Sequence, residues 1–465
     1  MKKILLFLTF LTLLGCITAP KGYYINEPRG DDPELLYFSG PPVMPQTDRL
    51  MRTAGFWISR HTHPDGLVLS LKEIEALNEK TRLNSGAVLD LSTFPEELDG
   101  RVIKKQIGDV IQGYREGLYY FKDGKTVQDS FFDGIESNIN LNSISETVSV
   151  QYGLITRYAD QRLIPSSDPI FWLKGEYDFD ALQNSALDIG SPVLVLHKTQ
   201  DAEWYYVYGI RSNGWIKSEN IVLCSREQML NFYYSESFMV CIESKNDIFL
   251  DKSFTIFCEY ARMGVRLPLS VVNTDEGYVA ALVPEADETG SFTVKEVYLS
   301  MNNCHEGYLP YTPRNMLNQA FKLLNAPYGW GGMYGEQDCS MFLCEIFGTV
   351  GILLPRNSFF QSLSGTVIGE FTQESPVKEK MDILLNDAVG GITILYMPGH
   401  IMLYLGVYEE NPYVIQSLWA YSQTIKRKDT IRVINKTVVS SLAIGEDSFT
   451  GSFLKRITKI NLIAF

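Results

Sequence analysis

The spacing of apolar positions changes several times along the chain, and each change predicts a different kind of element. Residues 4–14 form a largely apolar run behind Lys2 and Lys3. That run is too short for a bilayer span of about 20 residues and has the length of a signal-peptide core. Pro20, Pro28, Pro33, Pro41, Pro42 and Pro45, with glycines among them, favour extended, non-helical chain, so 16–46 reads as a tether. From about position 47 the pattern turns helical. Ser70 and Glu73 make a capping box ahead of Ile74 and Leu77, and 47–147 is expected to be a helical N-terminal domain.

Beyond 147 the signals shorten to strands. The runs 192–197, 204–208 and 215–217 are β-branched and aromatic, and Ser212-Asn213-Gly214 supplies a turn before the last of them. They predict a small all-β barrel over 148–235. Runs at 238–242, 254–257, 278–283 and 292–298 predict another over 236–303, with no strict repeat between the two. The block 304–465 opens with a well-marked helix: Thr312 as N-cap, Pro313 at the first position, apolar Met316, Leu317, Ala320, Phe321, Leu323 and Leu324, and a stop at Asn325 before Pro327. The glycine-rich Tyr328-Gly329-Trp330-Gly331-Gly332 follows. Asp338 then caps a second helix running from Cys339 to about Val350, closed by Gly351. Strands at 392–396, 400–408 and 413–418 complete an expected α+β arrangement.

Charge removes one class of partner. With 41 Lys+Arg against 55 Asp+Glu, a formal net charge of −14, and no basic run or stripe, nucleic acid is excluded as a partner. Five His and seven Cys contain no Cys-x-x-Cys pair and no His-Glu-x-x-His helix, so neither a metal site nor a cofactor is expected. His61-Thr-His63 reads as a surface loop.

The chemistry points to Cys339. It sits in the first turn of a helix, where free N–H groups and the macrodipole favour a thiolate. The dipole contributes about 0.3–1 kcal/mol, less than one pKa unit at about 1.36 kcal/mol, so a cationic partner has to supply the rest. His400 is that candidate. It opens a strand whose alternation puts His400, Met402 and Tyr404 on one face, and an imidazolium there would stabilise the thiolate. Gln416, on the next strand, is positioned to accept Nδ1–H of His400 and leave Nε2 facing the sulfur. The order Cys, His, polar residue is that of papain-like chemistry. Cys344 reads as a buried small hydrophobe. Asp338 is first an N-cap; a carboxylate beside the nucleophile opposes the thiolate, so any functional role lies in holding a substrate ammonium.

Two resemblances extend this reading. Leu13-Leu14-Gly15-Cys16 resembles the lipobox of bacterial lipoproteins, which implies a signal peptide over 1–15, lipidation of Cys16 and an exported protein anchored to a bacterial membrane. Tyr328-Gly329-Trp330-Gly331-Gly332, Asp338-Cys339-Ser340, Leu354-Pro355-Arg356-Asn357-Ser358 with Gln361, and Gly399-His400-Ile401-Met402-Leu403-Tyr404-Leu405-Gly406 together resemble the NlpC-type cell-wall cysteine peptidases. That resemblance implies a multidomain chain: a helical N-terminal domain, two SH3-like barrels and a C-terminal papain-like peptidase domain over 304–465. It implies hydrolysis of the γ-D-glutamyl to L-diamino acid bond of peptidoglycan stem peptides, in short peptides with a free N-terminal L-Ala. Cys339 would attack, its own N–H would help hold the oxyanion, His400 would shuttle the proton, and Asp338, Ser340, Ser358, Tyr328 and Trp330 would bind the peptide. The third catalytic position is most often His in that family and is Gln416 here. A silent wall-binding lipoprotein, or an amidase or acyl transferase on the same fold, are the alternatives. Pairing among Cys224, Cys241, Cys258, Cys304 and Cys344 is open.

Overall fold

The computed structural model describes residues 35–37, 44–372, 374–425 and 427–465; the expected signal peptide, Cys16 and most of the expected tether lie outside these residues. The described chain falls into two compact units. The first comprises Gly86–Tyr308 and Gly329–Gly335; the second takes the described residues up to Ser85 with Leu309–Tyr328 and Glu336–Phe465. Among the described residues no helix is long and apolar enough to cross a membrane.

The stretch expected to form one helical domain over 47–147 is divided between the units at Ser85 and Gly86. Each helix carries one apolar stripe and buries it against whichever body supplies a matching face. The helix Gly100–Arg115 buries Ile103, Ile107, Val110, Ile111 and Tyr114 in the same core as Trp204, Tyr206, Tyr208 and Trp215 of the first unit. Leu71–Ser85 belongs to the second. There Asn78 donates to Gly351 O at 2.9 Å and accepts from Leu353 N at 2.8 Å. Its expected capping box is formed, with Ser70 N donating to Glu73 Oε2 at 2.7 Å.

The first unit holds two seven-stranded sheets. One orders its strands Ile221–Cys224, Gln151–Ile155, Pro192–Lys198, Trp204–Tyr208, Asn213–Lys217, Ala159–Arg162, Gln183–Leu187. The other runs Phe257–Arg262, Lys245–Phe249, Phe292–Ser300, Tyr278–Ala286, Arg266–Asn273, Phe238–Cys241, Cys304–Glu306. A strand at 254–257 does not form. Asp251 Oδ1 accepts from Thr255 N at 3.0 Å and Ile256 N at 2.6 Å, which closes a turn there, and the strand begins only at Phe257.

In the second unit the helices that matter are α1 (Leu71–Ser85), α2 (Pro313–Lys322), α3 (Cys339–Gly348) and α4 (Val377–Asn386). Its strands are β1 (Leu35–Tyr37), β2 (Thr366–Glu370), β3 (Thr393–Met397), β4 (His400–Tyr408), β5 (Asn411–Ile425), β6 (Lys428–Ser441) and β7 (Lys459–Leu462), in the sheet order β1-β6-β5-β4-β3-β7-β2. β1 runs parallel to β6 and the other pairs are antiparallel. Thr312 caps α2, accepting from Asn315 N at 3.2 Å. All ten residues of α3 are buried, and it packs on β4 and β5. One sheet face buries Met402, Tyr404, Val414, Leu418 and Val438 with Phe453. β4 is therefore covered on both faces from His400 to Leu405, and the site below is built in a dry setting.

Candidate active site

The first turn of α3 is held from two directions. Asp338 has extended backbone (φ −82°, ψ −178°) and its Oδ1 accepts from Met341 N at 2.9 Å, the N-cap bond expected from the sequence. Just before it, Gln337 bridges to Tyr328 in parallel register, and Ser417 of β5 donates to Gln337 O at 2.8 Å. With the cap formed and Gln337 tied to β5, Cys339 is set at the helix N-terminus, and the backbone N–H of Ile401 at the start of β4 donates toward its sulfur.

His400, next to Ile401, is oriented by a relay across three strands. Its Nε2 is bonded to Gln416 Oε1 at 2.5 Å, and Gln416 Nε2 donates to Ser440 Oγ on β6 at 2.7 Å. Because the amide nitrogen is spent on Ser440, the amide oxygen must face the ring, and Nε2 of His400 carries the hydrogen. Nδ1 is then the basic nitrogen. The nitrogen roles are the reverse of those expected from the sequence, and strand register explains it. Leu403 pairs with Ile415 and Tyr404 with Val414, so the continued register places Gln416 opposite Met402, one diagonal step from His400. Only the far end of the ring spans that diagonal. Nothing in the sequence marks Ser440: the strand that carries it, β6, has no distinctive pattern, and its role depends on the register Val414↔Ser440.

Burial sets the charge state. Cys339 is 8% exposed and His400 5%. Desolvation, with the Asp338 carboxylate adding to it, pushes the Cys339 thiol up to about 12, against smaller pulls downward from the Ile401 N–H, Arg356 and the Ser340 N–H. Desolvation lowers the His400 imidazolium from 6.5 to about 4, with the Gln416 bond opposing the drop and Arg456 adding to it. Burial therefore favours the neutral thiol and neutral imidazole over the thiolate–imidazolium pair expected from the sequence. The helix dipole and the neighbouring donors do not offset the loss of water around both groups. Proton transfer then accompanies attack on a substrate, with Nδ1 as general base.

The depressed imidazole also links stability to acid. Below 6.5 the unfolded chain takes up a proton that folded His400 refuses until about 4, so stability falls as pH drops through that window. At about 1.36 kcal/mol per pH unit, the gap is worth about 3 kcal/mol. Urea unfolding from pH 7 down to 4 should show this loss, and His400→Gln should lack that part of it; an identical slope in the variant would assign the acid sensitivity elsewhere.

The carboxylate of Asp338 is already committed. Arg356 meets it in a buried fork, Nη1 to Oδ1 at 3.1 Å and Nη2 to Oδ2 at 2.6 Å, and Ser340 Oγ sits between them at 3.0 Å from Oδ1 and 2.7 Å from Arg356 Nη1. The Arg356 charge and these bonds hold the Asp338 carboxyl below its usual value even though burial, the largest single effect, pushes it up. An internal guanidinium thus occupies the place that the sequence reading offered to a substrate ammonium. The sequence signal for Arg356, which lies in the Leu354–Ser358 motif, is that a buried acidic N-cap calls for a cation. Arg356→Ala should cost about 3–5 kcal/mol by stranding a buried carboxylate. Thermal and urea unfolding test this, and a loss under 1 kcal/mol would show the fork to be dispensable.

The other expected site residues are divided between the two units. Ser358 begins the short helix Ser358–Gln361, capped by Asn357 Oδ1 accepting from Phe359 N at 2.8 Å, and is partly exposed in the second unit. Tyr328 is in the second unit too, with its N–H on Asn435 O at 3.1 Å. Trp330 groups with the first unit, where its ring meets Phe179 and Trp172 edge-on at 5.2 and 6.0 Å. Cys344 is buried and receives Gln361 Nε2 at 3.3 Å, as befits a structural thiol. His61 Nε2 engages Gly390 O at 2.9 Å.

In the second unit, a helix bearing a cysteine at its N-terminus packs on a sheet that presents a histidine and its amide partner. Residues 325–441 match the NlpC/P60 family, a family of cysteine peptidases, and residues 169–217 match the SH3 domain of SH3b1 type. The chain carries both domains. No curated protein matches it. Among solved structures, it is similar to an NlpC/P60 endopeptidase from Photobacterium damselae subsp. piscicida at 20% identity, over 91% of this chain and 98% of that one, with a TM-score of 0.72. It is also similar to an NlpC/P60 family protein from Bacillus cereus ATCC 10987 at 15% identity, over 68% of this chain and all of that one, with a TM-score of 0.50. At these identities the likeness is one of fold.

Proposed function

We propose that this protein is a cysteine endopeptidase that hydrolyses the γ-D-glutamyl to L-diamino acid bond of peptidoglycan stem peptides, taking short peptides with a free N-terminal L-Ala during wall turnover or recycling. The reading rests on the His400–Gln416–Ser440 relay, which leaves Nδ1 of His400 as the basic nitrogen, one residue from Ile401, whose N–H donates toward Cys339 Sγ. Cys339 Sγ attacks the γ-carbonyl carbon while Nδ1 takes the thiol proton. The Cys339 N–H, unpaired within the helix, donates to the developing oxyanion. The imidazolium passes its proton to the leaving amine, and the thioester is opened by a water that gives a proton to Nδ1. Ser340 and Ser358 line the peptide pocket in this reading, and Asp338 acts through Arg356. The second sheet of the first unit serves as a further SH3-like domain, and lipidation of Cys16 tethers the exported protein to a bacterial membrane.

The test is incubation with L-Ala-γ-D-Glu-diaminopimelate, free and muropeptide-linked, with products separated by chromatography. Release of the diamino acid from the free peptide, faster than from the linked one, is expected. No cleavage of either would leave a wall-binding protein on a silent fold; products cut at another bond would move the reading to an amidase or transferase.

A further inference from the structure

Two cysteines of the first unit face each other across a strand pair. Cys241 ends the strand Phe238–Cys241, Cys304 opens Cys304–Glu306, and the antiparallel register sets them directly opposite. The flanking backbone bonds run from Ile242 N to Asn303 O at 2.9 Å and from Gly307 N to Phe238 O at 2.8 Å. Hydrogen-bonded pairs alternate with non-bonded ones, so Cys241 opposite Cys304 falls in the non-bonded class. In that class Cα atoms stand about 4.5 Å apart and side chains approach most closely. A disulfide spans Cα separations of about 4.4–6.8 Å, so the backbone is already at bridging distance. The two thiols also share a hydrogen bond.

The other described cysteines lack such a partner across a ladder. Cys224 pairs with Tyr152, Cys258 falls in the irregularity between Phe249↔Phe257 and Ile248↔Glu259, and Cys339 and Cys344 lie in α3. Access is also graded. Cys304 is on an edge strand and 9% exposed, whereas Cys241 is wholly buried.

We propose that Cys241 and Cys304 form a reversible disulfide that staples the three-residue edge strand Cys304–Glu306 to the second sheet of the first unit. The oxidant is another disulfide, of a small thiol or of a thiol–disulfide exchange protein. Cys304 Sγ, after losing its proton, attacks one sulfur of that disulfide and releases one thiol. Cys241 Sγ, losing its proton in turn, attacks Cys304 Sγ in the mixed disulfide and releases the second. One disulfide is reduced as one forms, and the two protons end on the departing thiols. The hydrogen bond to Cys304 and burial hold the Cys241 thiol well above its ordinary range, which slows the second step. The staple closes the loop 242–303 and restrains a short edge strand that otherwise rests on a single neighbour.

The full chain, equilibrated in reduced and in oxidised glutathione, alkylated, digested and mapped by mass spectrometry, tests this. In oxidised buffer a cross-linked peptide joining 241 to 304 is expected, with two fewer titratable thiols in the denatured protein, reversal by dithiothreitol, and slower hydrogen exchange at 304–306. Cys241→Ala should leave Cys304 as a mixed disulfide with glutathione, and Cys304→Ala should leave Cys241 free. Both thiols remaining alkylatable in oxidised buffer, or Cys304 joined to a different cysteine, would overturn the proposal. Peptide cleavage is not a readout, so the outcome is independent of the peptidase reading.

Discussion

Cys339→Ala should reduce cleavage of the free L-Ala-γ-D-Glu-diaminopimelate peptide by about 10⁴-fold or more, to the level left by binding and the oxyanion donor alone. The loss is large because no other nucleophile replaces the sulfur. Cys344, the next cysteine along the helix, is directed into the core toward the carbonyls of Leu354 and Pro355 at 3.5 and 3.4 Å. The substitution removes one sulfur from a nearly buried site, and its Cβ and helix position are kept, so the fold should survive and circular dichroism should match the parent. Retention of more than a few per cent of the rate, with folding intact, would show that another group performs the chemistry.

The second large effect separates the base from its orienter. His400→Ala should approach the severity of Cys339→Ala, because a neutral thiol lifted to about 12 has no route to the thiolate without Nδ1. Gln416→Ala should be milder. It strands the buried Nε2–H, a cost of about 1–3 kcal/mol, which corresponds to about a 5- to 150-fold loss in kcat. The bond from Gln416 raises the His400 pKa, so its removal should also move the acid limb of the rate profile to lower pH. A role in packing alone would leave that limb in place. Near-equal losses in the two variants would mean that Gln416 does more than hold the ring. Ser440→Ala should show a smaller shift in the same direction, and Ser440→Thr should restore it, since the hydroxyl acts on the ring only through the amide.

Much of the site could be read before its geometry was known. Thr312 and Pro313 marked the start of α2, Asp338 marked the start of α3, and His400 opens β4 as its alternation required, because capping and strand alternation are local rules carried by residues a few positions apart. The limits were equally physical. The helices before 147 are recognisable one by one, but which body each joins depends on distant partners, and they part company at Ser85. β5 extends to Ile425, well past the apolar run 413–418, because it pairs along β6, a strand with no pattern strong enough to read alone. The roles of the His400 ring nitrogens differ from those expected because adjacency of strands is legible in the sequence and diagonal register is not.

Sequence alone determined the caps that place Cys339 at a helix N-terminus and the types of residue available for thiol chemistry. Only the tertiary structure decided which nitrogen of His400 is basic, that Ser440 completes the relay, that Arg356 neutralises Asp338, and that burial opposes charge on both Cys339 and His400. Each of those depends on burial or on a contact between residues far apart in the chain. Desolvation is a property of the packed body, absent from any short window of sequence, and here it outweighs the local helix field that pointed to a thiolate.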